Sequence, residues 1–200
     1  MKNFVKYFLI IWFSIAFLCS AFGQCEYEVK TDEMILTEYQ TVFMDLRRVV
    51  HLSLIQVGGS VALEVAYVRT TVNAPFELCL DQWSSLTLIL SDGPVMVIPF
   101  IGNDTCSAVY DQPDGSYKQY VTGIYELDEQ QLAILEKNQV DSLIMFFVTE
   151  VTVFPLLEKL KRPSKGCVTY GQRKFNGKQY FTNQIPCLTW KKYNTSKTLR

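Results

Sequence analysis

Two apolar runs separated by one tight turn stand near the middle of the 200-residue chain. Residues 86–90 and 95–101 flank Ser91-Asp92-Gly93-Pro94, where Asp and Gly tolerate the backbone of a tight turn and Pro cannot donate to a β-ladder. The pattern predicts a β-hairpin. Because both arms are largely apolar, we expect further strands beside this hairpin and a helix packed on it.

A second hairpin is predicted upstream. Gly58-Gly59-Ser60 separates residues 49–57 from residues 61–72, and the apolar residues at alternate positions of the second run share one face. The segments before it are less regular. Residues 25–37 are typical of a lead-in or an edge strand, and residues 41–48 fit a helical turn and a strand equally well.

One helix is predicted after residue 128. Asp128 and Gln131 have the spacing of a capping box, in which each side chain bonds the other residue's backbone amide. Leu132 and Leu135, three positions apart, share one helix face. The next segment, residues 142–154, is rich in β-branched and aromatic residues and predicts a long central strand.

Turn-forming residues dominate positions 110–120, and an exposed loop is expected at residues 112–116. Near the C-terminus, Asn176-Gly177 is typical of a type I′ turn, so residues 169–174 and 178–182 are expected to pair. Together the elements predict a β-dominated α+β fold. It consists mainly of an antiparallel sheet, or of a two-sheet sandwich, with one helix packed on it and a C-terminal disulfide-closed β-ribbon.

The first residues have the pattern of a secretory signal peptide. Two lysines precede an apolar run, and the small residues Ala21 and Gly23 stand before the expected cleavage site. Cleavage there leaves Gln24 as the first residue and predicts a secreted, periplasmic or cell-surface protein without a transmembrane span. An uncleaved membrane anchor over residues 4–22 is the alternative.

Export would bring the cysteines into oxidising surroundings. Five of the six follow the predicted signal peptide. Because five is an odd number, at least one of them must stay free or pair with another chain. Spacing leaves the connectivity open; the preferred pairs are Cys167–Cys187, which closes the C-terminal ribbon, and Cys79–Cys106, which brackets the central hairpin. No CxxC pair is present and His51 is the only histidine, so we predict no metal site and no cofactor.

Charge divides the chain into two parts. Residues 24–157 contain six Lys and Arg against 19 Asp and Glu, a net −13, whereas residues 158–200 contain 11 against one, a net +10. We therefore divide the chain into a signal peptide at residues 1–23, a β-rich domain at residues 24–157 and a basic, aromatic segment at residues 158–200.

The basic segment is the candidate for partner binding. Cations attract a polyanion and flat rings stack on bases or sugars, which predicts a protein or an anionic polymer at the cell envelope, without specific nucleic-acid recognition. Two alternatives need no partner: the tail keeps the chain soluble, or it folds back onto the acidic domain. The residues expected to bind are Lys161, Arg162, Lys165, Arg173, Lys174, Lys178, Tyr180, Trp190, Lys191 and Lys192.

The sequence shows no catalytic constellation. His51 is the obvious general base, but no nearby motif supplies both a nucleophile and an orienting partner. Ser60 and Ser91 lie outside a G-x-S-x-G elbow, and the acidic residues lack the spacing of a calcium loop. We therefore predict an exported, non-catalytic binding or assembly module. The alternatives are an exported hydrolase with an unrecognised site and a carrier of an apolar ligand.

Overall fold

The structure is a computed structural model that describes residues 25–158 and 176–189. Strands make up most of the described chain, with two short α-helices and two 3₁₀ segments. The strands are β1 (Tyr27–Lys30), β2 (Met34–Thr37), β3 (Gln40–Met44), β4 (Arg48–Val57), β5 (Ser60–Thr71), β6 (Cys79–Leu80), β7 (Ser85–Leu90), β8 (Val95–Pro99), β9 (Thr105–Cys106), β10 (Ala108–Asp111), β11 (Tyr117–Leu127), β12 (Val140–Phe146) and β13 (Val151–Pro155). The helices are α1 (Glu129–Leu135) and α2 (Tyr180–Gln184), and the 3₁₀ segments are Gly177–Gln179 and Ile185–Cys187.

The strands form two main antiparallel sheets. The large sheet has the order β1-β2-β4-β5-β11-β10, with β3 also paired to β4, and the small sheet has the order β13-β12-β7-β8. A two-stranded ribbon joins β6 to β9, where Cys79 lies opposite Cys106 and bonds to it. The predicted antiparallel, β-dominated fold and the predicted Cys79–Cys106 disulfide are confirmed.

The core lies between the two sheets. Tyr67 of the large sheet contacts Phe154 and Phe147 from the small-sheet side, with ring centroids 5.0 and 6.0 Å away. Leu88 on β7 and Leu63 on β5 are fully buried. Because side chains alternate along a strand, each sheet turns one set of residues into this core and the other set outward.

Both predicted hairpins and the predicted helix start are confirmed. β4 pairs with β5 across the turn at Gly58, and β7 pairs with β8 across a turn in which Gly93 has a φ of 95°. At α1, the Asp128 carboxylate accepts a hydrogen bond from the Gln131 amide at 2.7 Å, and Gln131 Oε1 accepts one from the Asp128 amide at 3.0 Å. This is the expected capping box.

Two segments differ from the sequence-based expectation. Residues 142–154 form a hairpin and not one long strand, because the chain reverses where the Phe147 amide donates to the Glu150 carbonyl at 2.9 Å. The expected loop at residues 112–116 is present, closed by the Gln112 amide on the Ser116 carbonyl at 2.8 Å. The strand that follows it, β11, was not predicted, yet it pairs with β5 over its whole length.

The C-terminal prediction is wrong at two points. Cys187 bonds to Cys25 and not to Cys167, and residues 178–182 are helical and not one arm of a ribbon. The Asn176 side chain accepts a hydrogen bond from the Lys178 amide at 3.0 Å, so it caps a helix where a turn was expected. Residues 169–174 lie outside the described part of the chain.

Residues 176–189 pack into the same core as the strands. Tyr180, Phe181 and Ile185 are fully buried within it. The Thr189 amide donates to Gln56 Oε1 at 2.8 Å, which fixes the end of this segment to β4. The segment therefore closes the side of the sandwich beside β3 and β4.

Candidate interaction surface

The predicted partner-binding residues divide into two groups. Lys178 and Tyr180 lie in the described part of the chain; the others, Lys161, Arg162, Lys165, Arg173, Lys174, Trp190, Lys191 and Lys192, lie outside it, as does Cys167. Tyr180 is fully buried, so its ring is not available to stack on a partner. The structure corrects that assignment because α2 turns the ring into the core.

Lys178 makes contacts within the molecule. Its Nζ lies 3.0 Å from an Asp141 carboxylate oxygen and 3.3 Å from one of Glu158. Hydrogen bonds from Lys178 and then Ser91 hold the pKa of Asp141 below its usual value, and the same contacts with Asp141 and Glu158 raise the pKa of Lys178. This lysine ties the C-terminal segment to the acidic domain, as the fold-back alternative expects.

His51 lies on the outward face of β4 without a catalytic partner among the described residues. Its Nδ1 lies 3.0 Å from the Thr41 hydroxyl, and the residue opposite it on β5 is Ala66. Burial lowers the pKa of His51, which keeps the imidazole neutral at neutral pH. The Thr41 hydroxyl is within hydrogen-bond reach of the imidazole, but Ala66 opposite supplies no carboxylate to orient the ring, so a complete triad is not formed by these residues.

One cluster of possible metal ligands occurs in the described chain, and it does not have the chemistry of a metal site. Glu77, Cys79 and Cys106 lie close together, but the two sulfur atoms are bonded to each other. Metal ligation requires thiolates, so only the exposed Glu77 carboxylate is left.

A shallow concavity of about 570 Å³ lies at the end of the sandwich, beside the β3–β4 turn. Two of its arginines form ion pairs within the protein: Arg48 pairs with Asp45 at 2.7 Å, and Arg69 pairs with Glu150 at 3.1 Å. Arg69 also donates two hydrogen bonds to Gln119. These contacts stabilise the end of the fold, and Leu46 is the one apolar residue in the lining, fewer than a carrier of an apolar ligand needs.

The outward face of the small sheet has an unusual composition. Register places twelve side chains on it in three rows across four strands, and none of them is charged. These residues, which we call the small-sheet face, are Val151, Phe146, Ser85 and Pro99, then Val153, Ile144, Thr87 and Val97, then Pro155, Ser142, Ile89 and Val95.

The small-sheet face is open to solvent along both of its edges. Val95 and Val97 on one edge are 61% and 58% exposed, and Val151 and Val153 on the other are 57% and 49% exposed. The outward face of the large sheet is different, because it carries charged residues such as Glu64. An uncharged, partly exposed face of this kind is typical of an interaction surface.

The sequence predicted β7 and β8 of this face but merged β12 and β13 into one strand, so it did not predict the face itself. The apolar positions of residues 86–90 and 95–101 pointed to a hairpin with cover on more than one side. The outward position of Val151 and Val153 depends on the turn after Phe147, for which the sequence has no Gly or Pro. The four-stranded arrangement therefore had no signal that pattern alone would reveal.

No helix within residues 25–158 and 176–189 is long and apolar enough to cross a membrane. Comparison of the chain with models of protein families, with curated proteins and with solved structures finds no match.

Proposed function

We propose that this protein is an exported, non-catalytic binding or assembly module that contacts a protein partner through the small-sheet face. The observation that carries the proposal is the absence of charge from all twelve outward side chains of this face. Residues 24–157, in contrast, carry a net charge of −13. Solvated sheet faces usually carry polar and charged residues, so an uncharged one is best explained by a partner that covers it.

Two observations support export. The N-terminal residues have the charge and hydropathy pattern of a signal peptide. All four cysteines of the described segments are in disulfide bonds, which persist in oxidising compartments and are rare in reducing ones. The proposal therefore includes a secreted, periplasmic or cell-surface location.

The partner is expected to present an apolar, uncharged surface of its own. Charged groups brought against Val97 or Ile144 would lose their hydration without gaining an opposite charge, which is unfavourable. Association should therefore depend weakly on salt concentration, because the contact is formed by apolar burial and not by ion pairs.

The test compares one substitution on each sheet. Ile144 lies near the centre of the small-sheet face and Thr122 is an exposed, outward residue of β11 on the other side of the sandwich. Oxidised protein of residues 24–200, with Ile144→Lys or with Thr122→Lys, is used to capture partners from native envelope and medium. We expect Ile144→Lys to lose the partner and Thr122→Lys to keep it; equal capture by both variants would contradict the proposal.

An anionic partner of the basic segment is a second candidate, and the net +10 of residues 158–200 favours it. Replacing Lys161, Arg162 and Lys165 by Gln removes three charges and leaves the described core intact. If this candidate is right, the triple variant binds a sulfated polysaccharide more weakly, and salt weakens the binding of the unmodified protein. The Ile144→Lys variant should bind that polymer normally.

A further inference from the structure

The edge of the small sheet at β8 has backbone groups without partners in the described chain. The Leu90 amide donates to the Pro94 carbonyl and the Phe100 amide donates to the Ser84 carbonyl. In an antiparallel pair the hydrogen-bonded positions alternate, so the amides and carbonyls of Val95 and Val97 point away from β7. Neither residue makes a backbone hydrogen bond on that side to any described residue.

Three features limit what can pair with this edge. Pro94 and Pro99 cannot donate hydrogen bonds, so pairing is restricted to the residues between them. Beyond β8 the edge is occupied, because the Ile101 amide donates to the Ile124 carbonyl of β11 at 2.9 Å. The open part is therefore short, and its side chains on the outward face, Val95 and Val97, are both more than half exposed.

We propose that β8 pairs with β8 of a second copy of this chain in an antiparallel arrangement. With Met96 on the two-fold axis, Val95 of each copy lies opposite Val97 of the other. The free amides and carbonyls of these residues then form four hydrogen bonds, and the valine side chains meet on the small-sheet face. The two small sheets become one continuous sheet of eight strands, four from each copy.

Charge favours β8 over the opposite edge of the same sheet. The residues of β8 and those directly beside it carry no charge, and the nearest charged residues along the chain are Asp92 and Asp104. β13 also has outward-pointing backbone groups, at Val151 and Val153, but Glu150 and Glu158 stand on either side of it. Glu150 stands directly beside Val151 and is paired with Arg69, so a strand that pairs with β13 has to accommodate this ion pair. Sheet edges are commonly protected from pairing by charges, and β8 has none within the strand or directly beside it.

The first test is the mass of oxidised protein of residues 24–200, measured by sedimentation over a range of concentrations. The paired segment is small compared with the roughly 800 Å² that each partner buries in a stable complex, so we expect a weak dimer that forms as the concentration approaches roughly 1 mM. Val97→Pro removes an amide that does not pair with β7, and Val153→Pro makes the matching change at β13.

We expect Val97→Pro to weaken dimerisation by at least about tenfold, because it removes two of the four hydrogen bonds, and Val153→Pro to leave it unchanged. A monomer at every concentration would overturn the inference. Assemblies larger than a dimer that are abolished by Val97→Pro and also by Val153→Pro would overturn it as well, because they would indicate that β8 of one copy pairs with β13 of the next.

Amide exchange of the unmodified protein gives a second test that depends on no variant. The Val95 and Val97 amides should become protected as concentration rises, whereas the Val151 and Val153 amides should exchange at a constant rate. Constant exchange at all four amides would also overturn the inference. This inference concerns the edge of the same sheet whose face the proposed function uses, but the two can fail separately. If the protein is always a monomer and its partner is still lost with Ile144→Lys, only self-pairing is contradicted.

Discussion

The disulfide between Cys25 and Cys187 joins residues 162 positions apart and ties both ends of the described chain together. Removing it with Cys25→Ser and Cys187→Ser releases a very long loop in the unfolded chain. In the chain-entropy treatment, a loop of that length corresponds to a loss of about 5 kcal/mol in the free energy of unfolding. The Cys79–Cys106 bond closes a loop of only 27 residues, for which the same treatment gives about 3.5 kcal/mol.

The assay is denaturant unfolding of three oxidised proteins: the unmodified chain and the two double-serine variants. We expect the Cys25/Cys187 variant to have the lower midpoint of the two variants, with cooperative unfolding in both cases. The described segment before Cys187 is also held by its buried side chains, Tyr180 and Phe181 among them, so it should still fold without the bond. A lower midpoint for the Cys79/Cys106 variant, or midpoints of both variants equal to that of the unmodified protein, would show that loop length does not set the contribution of these disulfides.

Three further predictions concern a thiol, a core residue and a histidine. The two disulfides use all four cysteines of the described segments, so thiol titration of oxidised residues 24–200 should find one reactive thiol, that of Cys167. Leu88 is fully buried on β7, and Leu88→Asp should prevent folding because an unpaired buried charge costs several kcal/mol; a soluble, cooperatively melting variant would show that β7 is not core. Burial lowers the pKa of His51 in the folded protein. As the pH falls below about 6.5, the imidazole of the unfolded chain therefore binds a proton before that of the folded protein does, and the free energy of unfolding decreases. His51→Gln should flatten the stability profile in the window just below that pH, measured as unfolding free energy at several pH values.

A helix cap gives the smallest expected effect. The Asp128 carboxylate accepts the Gln131 amide at the start of α1, and Asp128→Ala should lower the free energy of unfolding by about 1 kcal/mol. Asp128→Asn preserves an acceptor and should cost much less. Equal losses in the two variants, measured by thermal or denaturant unfolding, would show that the hydrogen bond is not what stabilises the helix start.

Local chemistry explains why some elements could be predicted. The turns at Gly58 and Gly93 use glycine at positive φ, and the pairing of Asp128 with Gln131 depends only on residues three positions apart. Each of these signals is complete within a few residues of sequence. They required no knowledge of what packs against them.

The remaining elements depend on contacts between distant segments. Asn176-Gly177 suggested a hairpin turn, but glycine is needed at position 177 because the backbone there passes close to β3. A Cβ atom at Gly177 would lie 2.6 Å from the Val42 carbonyl oxygen. Glycine is disfavoured inside strands, yet β11 contains Gly123, where a Cβ atom would lie less than 3 Å from the Leu80 and Tyr125 side chains. The partner of Cys187 was likewise undetermined, because five cysteines allow several pairings and only the fold brings Cys25 beside it.

The small-sheet face could not be predicted from the sequence for the same reason. Val95, Val97, Val151 and Val153 are ordinary strand residues in sequence, and only the strand order places them on one outward surface. Whether a side chain faces the core or the solvent changes with a shift of one residue in register. Pattern alone therefore could not separate the small-sheet face from the core.

Whether the small-sheet face binds a partner is decided by comparing capture by the Ile144→Lys and Thr122→Lys variants. Both substitutions add one positive charge to an outward strand position, on opposite sides of the sandwich. We expect a partner that the unmodified protein retains through a high-salt wash to be lost with Ile144→Lys and retained with Thr122→Lys. Retention of that partner by a folded Ile144→Lys variant would contradict the claim.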